Sequence, residues 1–202
     1  MTDLATAPES TESKGERTRR RLLDLAIEQF GAYGYRHTSM AEITRAAGLT
    51  QAASYAYFAS KADLFREAVD EDAAALIGEA AGQVVAMEPR QLLPGLVLFL
   101  GGALANHPLT RRVLQGQEPD AIEQLVDLPA VHSIGSLVAE AIRNGQATGD
   151  VRTDIDPDVV GAGAEALCLG LTMTLAMGGG ATTQRHAFGV VSAFDAMLRP
   201  SS

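Results

Sequence analysis

Residues Gln51-Ala52-Ala53-Ser54-Tyr55-Ala56-Tyr57-Phe58 place an amide, small polar side chains and two tyrosines where a core helix would carry aliphatics. An amide can make paired hydrogen bonds to adenine, and an alanine methyl can meet the methyl of thymine. The segment therefore reads as the second helix of a helix-turn-helix that lies against a nucleic acid. Elsewhere the chemistry-bearing residues are scattered. His37, His107, His132 and His186 have no paired spacing, so no metal site is expected. Cys168 has no activating partner in the pattern and reads as a buried structural thiol. Asp154-Ile155-Asp156-Pro157-Asp158, with Glu165 beyond it, echoes a calcium loop, but Val159 stands where such a loop needs glycine. Asp156 as a helix cap with Pro157 in the first turn accounts for the same residues. With no nucleophile–base pair, neither enzymatic activity nor a cofactor is expected.

The elements that position Gln51–Phe58 are strongly marked. Ser39 and Glu42 form a capping-box pattern, with Met40, Ile43 and Ala47 on one face of the helix that follows. Gly48 is placed to end that helix in the left-handed region, and Thr50 to cap the next. Upstream, Leu22, Leu23, Ala26, Ile27, Phe30 and Tyr33 make one apolar stripe over 18–33, which Gly34 should end. Ser60 is the expected cap of a further helix beginning at Lys61.

Residues 18–66 resemble the DNA-binding domain of the tetracycline-repressor (TetR) family. The likeness rests on Leu23, Ala26 through Phe30, Gly34-Tyr35, Thr38, Ile43, Ala46-Ala47-Gly48-Leu49 and the run Tyr55 to Leu64. It implies an all-α chain, a three-helix DNA-binding domain followed by a larger helical domain for ligand binding and dimerisation. It further implies that Gln51, Ala52, Tyr55 and Ala56 face base edges, while Thr38, Tyr57 and Lys61 hold phosphates, possibilities that extend to the Arg17–Arg21 cluster. Two departures stand out. Ala53 offers no hydroxyl where the family usually has threonine, and Ser54 falls on the inward face, where it must find a hydrogen bond, for instance to the carbonyl four residues back.

The formal charge of −9 argues against nucleic acid only if it is evenly spread. It is not: residues 14–61 carry +4, residues 1–13 carry −3 and residues 62–202 carry −10. One end suits phosphates and the remainder repels them. The expected division is a disordered tail over 1–13, a DNA-binding domain over 14–60 and a helical effector and dimerisation domain over 61–202. One cysteine fits a reducing cytoplasm. The apolar runs 92–105 and 166–181 fall short of the roughly 20 residues of a membrane span, so no membrane partner is expected.

Beyond the basic domain every segment reads helical, over 61–87, 92–106, 108–116, 122–126, 129–146, 157–177 and 182–198, with Gly178-Gly179-Gly180 before the last. The 92–106 helix is apolar enough to be buried on most sides. The final two helices are too apolar for a monomer surface, and Leu171, Phe188, Val191 and Phe194 are the expected dimer contacts; closing the monomer core is the alternative. Phe99, His107, Glu165, Cys168, Thr172 and Met173, with Met87, Met177 and His132 nearby, are candidates to line an effector pocket. The resulting expectation is a homodimer that binds a palindromic double-stranded DNA operator and is released by a small apolar or amphipathic effector. The competing expectation is a helical ligand-binding or scaffold protein that has lost specific DNA binding.

Overall fold

The computed structural model describes residues 13–178 and 181–200. The expected tail lies outside these residues apart from Ser13, as do Gly179 and Gly180 of the glycine link. All regular structure among the described residues is helical: α1 (Lys14–His37), α2 (Met40–Ala46), α3 (Gln51–Ser54), α4 (Lys61–Val84), α5 (Pro89–Ala103), α6 (Pro108–Leu114), α7 (Ile122–Val126), α8 (Pro129–Thr148), α9 (Pro157–Ala176) and α10 (Ala181–Leu198).

Local hydrogen bonds define the start of every helix in the amino-terminal part, here called the head. α1 begins earlier than its apolar stripe suggests because Ser13 and Glu16 make a reciprocal cap. Ser13 Oγ accepts the Glu16 N–H at 3.2 Å, and the Glu16 carboxylate accepts the Ser13 N–H at 2.7 Å. Ser39 and Glu42 do the same at α2, Thr50 Oγ1 accepts the Ala53 N–H, and Ser60 Oγ accepts the Asp63 N–H. Gly48 takes φ 73° as expected. Gly34, at φ 81° and ψ 167°, breaks the path of α1, and Tyr35–His37 continue beyond it. Leu22, Ala26, Phe30, Ile43, Phe58 and Leu64 close the core of the head, with Phe65 meeting Phe30 edge-on at 5.1 Å between ring centroids.

The rest, the body, is arranged differently. α5, α6 and α8 each begin with proline, whose missing N–H is one a helix start leaves unpaired anyway, and none has a side-chain cap. α9 begins with a side-chain cap, Asp156 Oδ1 accepting from Asp158 N at 2.9 Å. Long-range packing positions these helices instead. α8 and α9 cross at Gly135 and Gly161, so closely that a Cβ on Gly161 would stand 2.4 Å from the Gly135 carbonyl oxygen.

Several expectations need correction. α4 ends at Val84, and α5 starts at Pro89 rather than at 92. α5 is buried on most sides as expected, through Leu92, Leu93, Leu96, Val97 and Leu100, though Leu98 is 70% exposed. Leu171 and Phe194, expected at a dimer face, are 8% and 4% exposed within one protomer, because they lie on the inward stripes of α9 and α10. Unbroken apolar runs also understate the lengths of the apolar helices. By length and composition, α9 and the stretch Pro119–Thr148 are long and apolar enough to cross a membrane. In this fold that apolarity goes partly into the α8–α9 crossing.

Head and body meet at α6. Gly31 lets α1 approach so closely that a Cβ there would lie 2.8 Å from Pro108 Cβ. At the Gly34 break, Glu118 Oε1 accepts the Tyr35 N–H at 3.1 Å and Arg112 Nε at 2.8 Å.

Candidate nucleic-acid interface and effector cavity

α3 is a single turn, and Tyr55, Ala56 and Tyr57 follow it in a tight turn rather than in regular helix. The turn is held by Ala56 N–H to Ala53 O, Tyr57 N–H to Ser54 O and Phe58 N–H to Ser54 O. Gln51, Ala52, Tyr55 and Ala56 are all exposed, together on the outside of the helix-turn-helix. Tyr57 and Lys61 are half-buried, and Lys61 Nζ sits 4.2 Å above the Tyr35 ring. Phe58 is buried below them with the Arg19 guanidinium 4.9 Å from its ring centroid; Arg19 also pairs with Glu67 of α4.

Thr38 is put to another use. It is buried, and its hydroxyl lies 2.9 Å from Gly34 O and 3.2 Å from Gln29 O, so the side chain ties down the α1 break rather than facing outward. Ser54 is fully buried and donates to Gln51 O at 2.8 Å, three residues back rather than four. Its polar group is satisfied, and the cost of an orphaned hydroxyl, about 1–3 kcal/mol, is avoided. Glu42 is held below the usual carboxylate range, first by its bond from the Ser39 side chain, then by the Ser39 backbone N–H, with Arg45 and Lys61 adding attraction.

The body contains a polar cluster that the sequence pattern did not single out. Asp72 of α4 is buried and accepts from Thr110 N at 2.7 Å, Thr110 Oγ1 at 2.8 Å and His107 Nδ1 at 3.0 Å. This network assigns the Nδ1 proton to His107. Nε2 has no hydrogen-bond partner among the described residues; Glu79 Oε1 is 3.6 Å away. A signal was available, for Asp72 falls on the stripe of Val69, Ala73 and Leu76 that α4 buries.

Beside this cluster lies a cavity of about 30 Å³, walled by Leu76 and Ile77 of α4, Leu100 of α5, Thr110 and Leu114 of α6, Leu125 of α7, Ile134 of α8, and Cys168 and Thr172 of α9. It brings together two of the expected pocket residues, Cys168 and Thr172. His107 stands behind Thr110, joined to it through Asp72. Phe99 and Met173 are half-buried but not in the wall, and Glu165 is turned to the α8–α9 surface, where it pairs with His132 Nδ1 at 2.8 Å. Burial pushes the Cys168 thiol up to about 12, so it stays protonated near neutrality and lacks the thiolate needed for reaction.

The outer faces of α9 and α10 are apolar and open. Val159, Gly163, Ala166, Leu167 and Gly170 of α9 and Met177 just past its end are exposed, and Phe188 of α10 is 73% exposed with Val191 half-buried near it in sequence.

Residues 22–68 match the profile of the bacterial regulatory proteins of the tetR family. Over 57 residues the chain is 42% identical to the transcriptional regulator AcrR of Shigella flexneri, a stretch that is 28% of this chain and 26% of AcrR. A crystal structure described as a TetR-family regulator, from Mesorhizobium loti MAFF303099, covers 93% of this chain with all of its own, at 26% identity and a TM-score of 0.68. AibR, solved with isovaleryl coenzyme A and operator DNA, shares the fold at 18% identity and a TM-score of 0.56, over 87% of this chain and 97% of its own. Residues 22–68 thus match the DNA-binding domain of the tetR family, and the chain as a whole shares the all-helical fold of a solved TetR-family regulator.

Proposed function

We propose that the chain acts in the cytoplasm as a homodimeric repressor, released from a palindromic DNA operator by a small effector held in the body. The observation that carries this reading is the exposed set Gln51, Ala52, Tyr55 and Ala56 on a helix-turn-helix fixed by three side-chain caps, at the basic end of an otherwise acidic chain. Gln51 reads a base, the Ala52 and Ala56 methyls offer apolar contact, and Tyr57 and Lys61 meet phosphates. Ser54 is hydrogen-bonded internally, which removes one of the two departures that favoured a chain without DNA binding.

The open apolar faces of α9 and α10 support the same reading. A dimer built on Phe188, Val191 and the exposed residues of α9 covers apolar surface that a monomer leaves in water. Leu171 and Phe194 have no part in it, being spent inside the protomer. Two heads related by a two-fold axis then meet successive major grooves, about 34–36 Å apart. AibR, with an acyl-coenzyme A and DNA in one complex, illustrates that a similar fold holds both kinds of partner. The effector here acts by preferring a head spacing that does not fit DNA.

Selection of bound sequences from random DNA, followed by gel shifts over a range of salt, tests the reading. Enrichment of a palindrome, with affinity falling steeply as salt rises, is expected. Gln51→Ala should change the preferred base, whereas Tyr57→Ala and Lys61→Ala should weaken all sequences alike. Phe188→Asp should give monomers in sedimentation and abolish operator binding. Recovery of random DNA, or a monomeric parent protein, would sink the proposal.

A further inference from the structure

We infer that the cavity takes a neutral, mostly apolar effector bearing one hydrogen-bonding oxygen, with Thr172 Oγ1 as its anchor. The inference rests on the reading of the body as an effector domain and narrows the chemistry it accepts. Thr172 is 4% exposed, and its hydroxyl has no hydrogen-bond partner among the described residues. That is unusual for a helical threonine, which can bond the carbonyl four residues back. Thr174 on the same helix does so, to Gly170 O at 2.7 Å, and Thr44 does so to Met40 O at 2.7 Å. Thr172 leaves that bond unmade in the wall of a cavity.

The other polar groups around the cavity are already committed. Thr110 gives its hydroxyl to Asp72, and Asp72 takes three donors. Cys168 stays a thiol, a weak donor at best. Leu76, Ile77, Leu100, Leu114, Leu125 and Ile134 supply much of the remaining wall. The wall holds no cation, so a carboxylate or phosphate placed there would lose its hydration with nothing in return, and Asp72 nearby would repel it. A carbonyl or hydroxyl oxygen fits, because a threonine hydroxyl can donate to the first or accept from the second. The cavity of about 30 Å³ is an order of magnitude below the roughly 300 Å³ at which ligand pockets begin, so the ligand must widen it by parting its walls.

Thr172→Val tests this, because it exchanges a hydroxyl for a methyl of nearly the same shape. Three matched probes are used on the full chain: a medium-chain methyl ketone, the hydrocarbon of the same length and the corresponding carboxylate. In the parent protein the ketone should bind tightest. The substitution should weaken the ketone about tenfold, the worth of one buried hydrogen bond, and leave the hydrocarbon unchanged. In the ligand-free protein it should raise Tm by about 2–4 °C, since an unpaired buried hydroxyl is removed. A carboxylate that binds tightest, ketone binding indifferent to the substitution, a lowered Tm, or no binding by any probe would each overturn the anchor. Thr172-dependent binding that leaves operator affinity unchanged would instead keep the anchor and overturn the effector reading.

Discussion

The head and the body of this chain reach helical structure by opposite routes. In the head, Ser13, Ser39, Thr50 and Ser60 each cap the helix they precede, α4 included, with bonds spanning three residues. In the body, α5, α6 and α8 begin at prolines without a side-chain cap, and contacts from distant parts of the chain decide where they lie. A surface that must present Gln51 and Tyr55 in fixed geometry gains from local, redundant restraints. A wall proposed to part for a ligand gains from packing that can be rearranged as a whole.

The α8–α9 crossing offers the largest test of this contrast. Gly161→Ala forces a Cβ against the Gly135 carbonyl, at 2.4 Å in the present geometry. Calorimetry should show a loss of about 3 kcal/mol, near the top of the overpacking range, or a Tm lower by about 6–12 °C. Gly78→Ala in α4, where nothing lies within 4 Å, is the control and should stabilise by up to about 1 kcal/mol. Equal responses at the two sites would mean that the crossing is looser than the structure places it.

Ser39→Ala probes the head and should act more mildly. Loss of one cap costs about 1 kcal/mol. Hydrogen exchange should localise the damage to the amides at the start of α2 and leave α8 and α9 protected. Exchange that rose equally in the body would break the distinction drawn between the two regions.

The smallest effect is that of acid. The Glu16 and Glu42 carboxyls are both held low, chiefly by bonds from the Ser13 and Ser39 side chains. Their caps therefore contribute fully above the ordinary carboxyl value, about 4.3, and fade as pH falls through the lower folded values. Amide chemical shifts of Ser13, Glu16, Ser39 and Glu42 should move together in that acid range, while the proline-started α5, α6 and α8 show no matching change.

This division also decides which features are legible in the sequence. The caps of α2, α3 and α4, the left-handed Gly48 and the exposed set on α3 and the turn after it are written in residues three or four apart, so spacing alone discloses them. The body is written in distant pairs. That Gly135 and Gly161 touch, that Asp72 gathers His107 and Thr110, and that Leu171 faces inward follow from how helices cross, which no local pattern records. Phe99, Glu165 and Met173 fit a pocket by residue type, but the cavity instead uses Leu76 of α4, Leu100 of α5 and Leu125 of α7. Thr38 shows the converse: a hydroxyl near the exposed helix-turn-helix face suggests an outward role, yet it serves the Gly34 break.

One consequence of the joint between the regions concerns exchangeability. The profile match stops at residue 68, and a cut near residue 60 appeals to anyone wishing to graft this head onto a foreign sensor. Such a chimera would sever a single oxygen, Glu118 Oε1, from one of its two clients, the Tyr35 N–H and the Arg112 guanidinium. It would also set Gly31 and Gly34 against side chains that had never been shaped to their missing Cβ atoms. The transplantable unit is discontinuous in sequence: residues 13–68 together with the 108–118 stretch they rest on.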